Sequence, residues 1–173
     1  MVIPLENSNT SLYAFRKYGD MVLRTAYSCC GCYAEAEDIT QDVFLYLHEK
    51  QMEFNDDEHM KAWLLKVTVN KCKNYKRSFR ASRTGELNDD YQGSYSMDTT
   101  DVEVRELLSS LPPKYAAVMY LHYYEEASVE EIAKTLDKNV NTVKSLLRRG
   151  REKLKIELEE KSPVIQGSAR RKV

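Results

Sequence analysis

The sequence predicts an all-α protein of two small helical domains joined by a flexible acidic linker, the C-terminal domain being a helix-turn-helix. Three observations carry this. From Ser11 onward apolar residues recur at helical spacing, and no stretch alternates as a strand would. The segment "TGELNDDYQGSYSMDTTD" (84–101) holds two glycines, many polar residues and little apolar content, so it reads as a linker. Beyond it, a short helix, a tight turn and a longer basic helix follow in the order of a helix-turn-helix. The expected boundaries are an N-terminal domain over 8–83, the linker over 84–101, a C-terminal domain over 102–160 and a disordered basic tail over 161–173.

Taken in order, "SLYAFRKYGDMVLRTAY" is a first helix with aromatics on one side. "AEAEDITQDVFLYLHEK" is a second, with Ile39, Val43, Tyr46 and Leu47 on its apolar face. "DEHMKAWLLKVTVNKCKNYKRSFR" is a third, entered through the acid-rich "NDDE", a plausible cap region. After the linker, "VEVRELLSSL" ends at Pro112 and Pro113, because the residue before a proline is pushed out of the helical region. "KYAAVMYLHYYEE" is apolar on most sides and should be packed on both flanks. Ser128 and Glu131 have the spacing of a capping box opening "SVEEIAKTL". "DKN" then turns the chain, and Asn139 can cap the last helix, "NVNTVKSLLRRGREKL".

With 173 residues, 42% of them hydrophobic, the chain can bury a sizeable core. A net charge of −1 argues against a simple polycation. The charges are segregated, however. Lys61 to Arg83 holds eight basic residues and no acid, Thr84 to Glu106 seven acids against Arg105, and Lys144 to Lys155 six basic residues against one acid. Two basic blocks separated by an acidic one suggest two contacts with a polyanion. The N-terminus "MVIPLENSNT" has neither a basic start nor a long apolar run, so no signal peptide is expected. No stretch has the length of a membrane span, and a soluble, cytoplasmic protein without stable membrane insertion is the expectation. There Cys29, Cys30, Cys32 and Cys72 should be thiols. "CCGC" lacks paired C-x-x-C spacing, so the cysteines read as small buried residues rather than zinc ligands, with a redox-sensitive thiol as the other reading.

Three constellations carry possible function. In the last helix, Val143, Leu147, Gly150 and Leu154 share one side at about 100° per residue, and Asn141, Lys144, Ser145, Arg148 and Arg149 the other. In a helix-turn-helix the second helix enters the major groove, where Arg and Lys can read guanine and Asn adenine. A helical hairpin with a solvated basic face is the bland alternative. In "AEDITQDVF", Asp38, Gln41, Asp42 and Leu45 fall at i, i+3, i+4 and i+7, one exposed face. By composition alone that face is solvated surface. The basic block of the third helix interleaves Trp63, Tyr75 and Phe79 with its cations and with Asn70 and Asn74, a pattern suited to phosphates and stacked bases. Trp63, at the helix start, is more often a core residue.

Together these motifs resemble bacterial sigma-70 family RNA polymerase sigma factors of the extracytoplasmic-function (ECF) group, from about Tyr13 to Leu158. "AEDITQDVFLYLHE" is similar to the helix that the family docks on the polymerase clamp helices, which implies that Asp38, Gln41, Asp42 and Leu45 face core polymerase. "KAWLLKVTVNKCKNYKR" resembles the segment that opens and reads the −10 element, which implies that Asn70, Lys73 and Arg77 lie near the melted strand. The segment from Leu107 to Leu154 resembles the domain that reads the −35 element, through Lys144, Ser145, Arg148 and Arg149, with Asn141 beside them. The chain departs from the family's pattern at Asn74, where Asp is usual, at Asp137, where Gly is usual in the turn, and at Leu146, where a basic residue is common. By angle Leu146 flanks the apolar stripe and can pack. The resemblance implies a promoter-directing initiation factor, not an enzyme, with no metal or cofactor. Its implied partners are core RNA polymerase, promoter DNA and an anti-sigma factor. The alternative is a helix-turn-helix regulator that is not a polymerase subunit, which would need a dimer interface and an effector domain. The 18 residues from Thr84 to Asp101 would average roughly 25 Å end to end and extend to about 60 Å, enough to place two domains more than a DNA turn apart.

Overall fold

The computed structural model describes the backbone of residues 7–81 and 99–161, with side chains from 10–75 and 104–159. Helix α1 spans Asn7–Cys30, α2 Tyr33–Lys50, α3 Asp57–Ala81 and α4 Thr99–Ser109. Helix α5 spans Pro113–Tyr123, α6 Val129–Thr135 and α7 Val140–Lys161. Among the described residues there is no strand. Most of the linker and most of the tail lie outside them. Helix α4 begins at Thr99, three residues inside the span read as linker.

Gly19 does not interrupt α1; the Phe15 ring lies 3.7 Å from where its Cβ would stand. Gly31 does end the helix. It sits at φ +78°, a conformation open to glycine, and its N–H donates to the Tyr27 carbonyl at 2.8 Å. Helix α3 starts where the acid-rich segment predicts, with the His59 N–H donating to Asp56 Oδ1 at 2.7 Å.

Helices α1, α2 and α3 form one bundle. Its core takes Val22, Ala26 and Cys29 from α1, Ile39, Val43 and Leu47 from α2, and Leu64, Val69 and Cys72 from α3. One assignment on α2 needs correction. Tyr46 is exposed, lying flat against Trp63 with ring centroids 5.9 Å apart, whereas Phe44 is buried edge-on to Phe15 at 5.2 Å. Because α2 is covered from two sides, by α1 and by α3, its buried arc is wider than a single apolar stripe and reaches Phe44. Trp63 is half-buried at the rim, between Tyr46 and Phe54.

Helix α5 is the hub of the second half. All seven residues from Tyr115 to Leu121 are buried, as its all-round apolar sequence demands. It packs on α4, α6 and α7, but also on α1 and α3 of the first bundle, so the two halves share one continuous core. Each large side chain fully buried there is worth about 1.5–3 kcal/mol. The four cysteines are free; Cys29 and Cys72 are buried. Burial pushes the Cys30 thiol up to about 12, and its Sγ lies 3.3 Å from the Cys32 carbonyl, so Cys30 stays a thiol rather than a reactive thiolate.

Candidate nucleic-acid and protein interfaces

The helix-turn-helix is built by local hydrogen bonds that its sequence encodes. Ser128 is the N-cap of α6: its Oγ accepts from the Glu131 N–H at 3.2 Å, and Glu131 Oε2 accepts from the Ser128 N–H at 2.7 Å. Hydrogen bonding to the carboxyl, from the Ser128 N–H first and the Ser128 hydroxyl second, holds Glu131 below the usual range. Helix α6 closes in a Schellman arrangement: the Lys138 N–H donates to the Ala133 carbonyl at 2.9 Å and the Asp137 N–H to the Lys134 carbonyl at 3.5 Å. That geometry puts Asp137 at φ +50°, where glycine is usually preferred. Asn139 then caps α7, its Oδ1 accepting from the Thr142 N–H at 2.7 Å.

On α7, Val143, Leu146, Leu147 and Gly150 are buried, which settles Leu146 as a packing residue. Gly150 permits the close crossing of α5, since a Cβ there would stand 3.0 Å from Met119 Cγ. Asn141, Lys144, Ser145, Arg148 and Arg149 are all exposed along the opposite side. Arg148 is held by Glu152 at 2.7 Å, an exposed i, i+4 pair that contributes little and yields readily to a phosphate.

The α2 face is likewise assembled. Asp38, Gln41, Asp42 and Leu45 are exposed, and Leu45 keeps 59% of its surface in water. Asp42 lies 3.5 Å from Lys71 Nζ, so this face borders the basic helix α3. On α3, Asn70 is exposed and Lys73 half-buried, while the side chain of Arg77 lies outside the described residues. Burial is the main cause lowering the Lys73 pKa, and the charge of Lys138 adds to it. Tyr75 is tied back, its hydroxyl donating to Glu35.

Two features escaped the sequence reading. One is the aromatic rim of Tyr46, Trp63 and Phe54, with the ammonium groups of Lys50 and Lys71 5.5 and 5.6 Å from the Tyr46 ring centre. These residues come from two helices and the loop between them, so no single helical period unites them. The other is Lys66, which ion-pairs with Asp137 across 71 positions of sequence.

The chain matches two family models in sequence order, "Sigma-70 region 2" over residues 14–82 and "Sigma-70, region 4" over 101–154. Among curated proteins it is 29% identical over 150 residues to the ECF RNA polymerase sigma factor SigE of Mycolicibacterium smegmatis, covering 81% of this chain and 58% of that protein. It is 28% identical to the ECF RNA polymerase sigma factor SigW of Bacillus subtilis, over 82% of this chain and 84% of that one. With the ECF RNA polymerase sigma factor SigM of Bacillus subtilis it shares 30% identity, over 69% and 77%. In fold it is similar to the sigma factor RpoE solved in complex with the anti-sigma factor NepR from Bartonella quintana. The TM-score is 0.60 at 22% identity, covering 84% of this chain and 96% of that one.

Proposed function

The chain belongs to the sigma-70 family of RNA polymerase sigma factors, in its ECF group, and on that footing we propose that it binds core RNA polymerase and directs it to promoters through a −35 and a −10 contact. It is an initiation factor; polymerase supplies the chemistry, and this chain needs no catalytic residue, metal or cofactor. Asp38, Gln41, Asp42 and Leu45 of α2 dock on core polymerase. Asn70, Lys73 and Arg77 of α3 meet the −10 strand. Asn141, Lys144, Ser145, Arg148 and Arg149 of α7 enter the −35 major groove. No helix among the described residues is long and apolar enough to cross a membrane, and the site of action is the cytoplasm, where promoter DNA and polymerase reside. An anti-sigma factor is the expected antagonist.

The observation that carries this reading is α7: a capped second helix of a helix-turn-helix, anchored by four buried residues, with five residues of groove-reading types exposed together. Binding to a set of duplex fragments at several salt concentrations tests it. Lys144→Ala and Arg149→Ala should each weaken a −35 fragment by about 1–3 kcal/mol if they read bases. A pure phosphate contact would instead lower affinity evenly and flatten the salt slope by about one unit. If neither variant changes affinity for any fragment, α7 does not bear the DNA face.

A further inference from the structure

The motif "CCGC" lies at the joint between α1 and α2, and its cysteines meet different surroundings. Cys29 is buried in the core, as is Cys72 of α3, whereas Cys30 and Cys32 are only partly covered. Cys30 is the last residue of α1, Cys32 is the N-cap of α2, and Gly31 between them holds φ +78°. Cys32 makes no side-chain cap bond, so its sulfur is not committed to the helix. The Cys30 thiol donates to the Cys32 carbonyl at 3.3 Å, which draws the two residues together across the glycine. That carbonyl also accepts from the Ala36 N–H at 3.0 Å, at the first turn of α2. The joint has little room: a Cβ on Gly31 would stand 2.7 Å from Ser109 Oγ, at the end of α4.

We propose that Cys30 and Cys32 are a redox-sensitive dithiol, which closes to an in-chain disulfide by exchange with a low-molecular-weight disulfide and so resets the start of α2 and its contact with α4. Residues two apart have Cα atoms at most about 7 Å apart, and a disulfide spans about 4.4–6.8 Å. The bridge therefore needs only the backbone freedom that Gly31 provides. Burial is the main cause that keeps Cys30 protonated, and the neighbouring sulfurs of Cys29 and Cys32 act in the same direction. Cys32 therefore attacks first. Its thiolate displaces one thiolate from the small disulfide and keeps the other half as a mixed disulfide. Cys30 then attacks the Cys32 sulfur, and its proton passes to the second departing thiolate. Two protein thiols are oxidised to one disulfide, and one small disulfide is reduced to two thiols. A bridge closed through a single residue is strained and readily reduced, so it forms and reopens rather than holding the fold together. Closing it takes the Cys30 sulfur from the Cys32 carbonyl and turns the backbone at Gly31, on which the Ala36 bond and the Ser109 contact depend.

The test uses the folded full chain, with oxidised glutathione as the small disulfide. After acid quenching, unfolding and alkylation, intact mass counts the thiols that remain. The parent, with four cysteines, should carry two alkyl groups and no glutathione, and dithiothreitol before the quench should restore all four. Peptide fragmentation should find the two alkyl groups on Cys29 and Cys72. Cys30→Ser should stop at glutathione on Cys32, and Cys32→Ser should not react. Hydrogen exchange at the Ala36 amide should be about two- to tenfold faster in the bridged chain than in the reduced one. In Cys32→Ser the oxidant should leave that exchange unchanged. A parent that keeps four thiols or stops at the mixed disulfide would overturn the dithiol, as would alkyl groups on Cys30 or Cys32. Equal exchange at Ala36 in the bridged and reduced chains would overturn its hold on α2.

Discussion

Asp137 sits at φ +50°, a backbone state that costs an L-residue about 1–2 kcal/mol and a β-branched one more. Asp137→Val should therefore lower the melting temperature by roughly 3–6 °C. Asp137→Gly should hold it, because relief of that cost offsets the loss of a weak pair with Lys66 and the greater freedom of unfolded glycine. Equal melting temperatures for the Val variant and the parent would contradict the left-handed turn. At the other end of α6, Glu131 is held below its ordinary value of 4.5 by the Ser128 N–H and hydroxyl. A depressed carboxyl contributes stability that is fully present above 4.5 and is lost as pH falls through its folded value. Urea midpoints measured at neutral pH and well below 4.5 should differ less for Glu131→Gln, which keeps an acceptor but does not titrate, than for the parent. Both residues were legible in the sequence, since a capping box and a tight turn are local patterns. Lys66 was not, because its partner lies 71 positions away.

At the scale of elements, α7 and α5 read well from sequence, because period and apolar content fix which sides they bury. On α2 the sequence found the exposed side and misjudged the buried one: cover by two helices draws in Phe44 and leaves Tyr46 at a rim against Trp63. The exposed side is the one proposed for polymerase. Asp42 makes a 3.5 Å pair with Lys71 and is 65% exposed, so Asp42→Arg should change stability by no more than about 1 kcal/mol. Were this face to meet basic groups on core polymerase, as proposed, the same change would introduce like-charge contacts that cost several kcal/mol. A pull-down beside a thermal melt should show a folded Asp42→Arg chain that no longer retains core enzyme. Retention at the parental level would return this face to ordinary solvated surface.

Across the whole molecule, the two helical groups and their order were legible, but their mutual packing was not. Hydrophobic period reports that α5 is buried all round; it does not report that α1 and α3 supply part of the cover. The polar linker is compatible with separated or docked halves alike, so only tertiary contacts decide between them. The central claim is that this chain makes core polymerase promoter-specific by joining a polymerase face on α2 to DNA faces on α3 and α7. Run-off transcription with purified core enzyme, on templates selected by binding to the full chain, tests it most directly. Core alone should give no discrete product, the parent chain should give a run-off transcript of defined length, and Asp42→Arg should give none while still binding the −35 duplex. A chain that binds duplex DNA tightly yet yields no promoter-specific transcript with any core enzyme, on any selected template, would contradict the account.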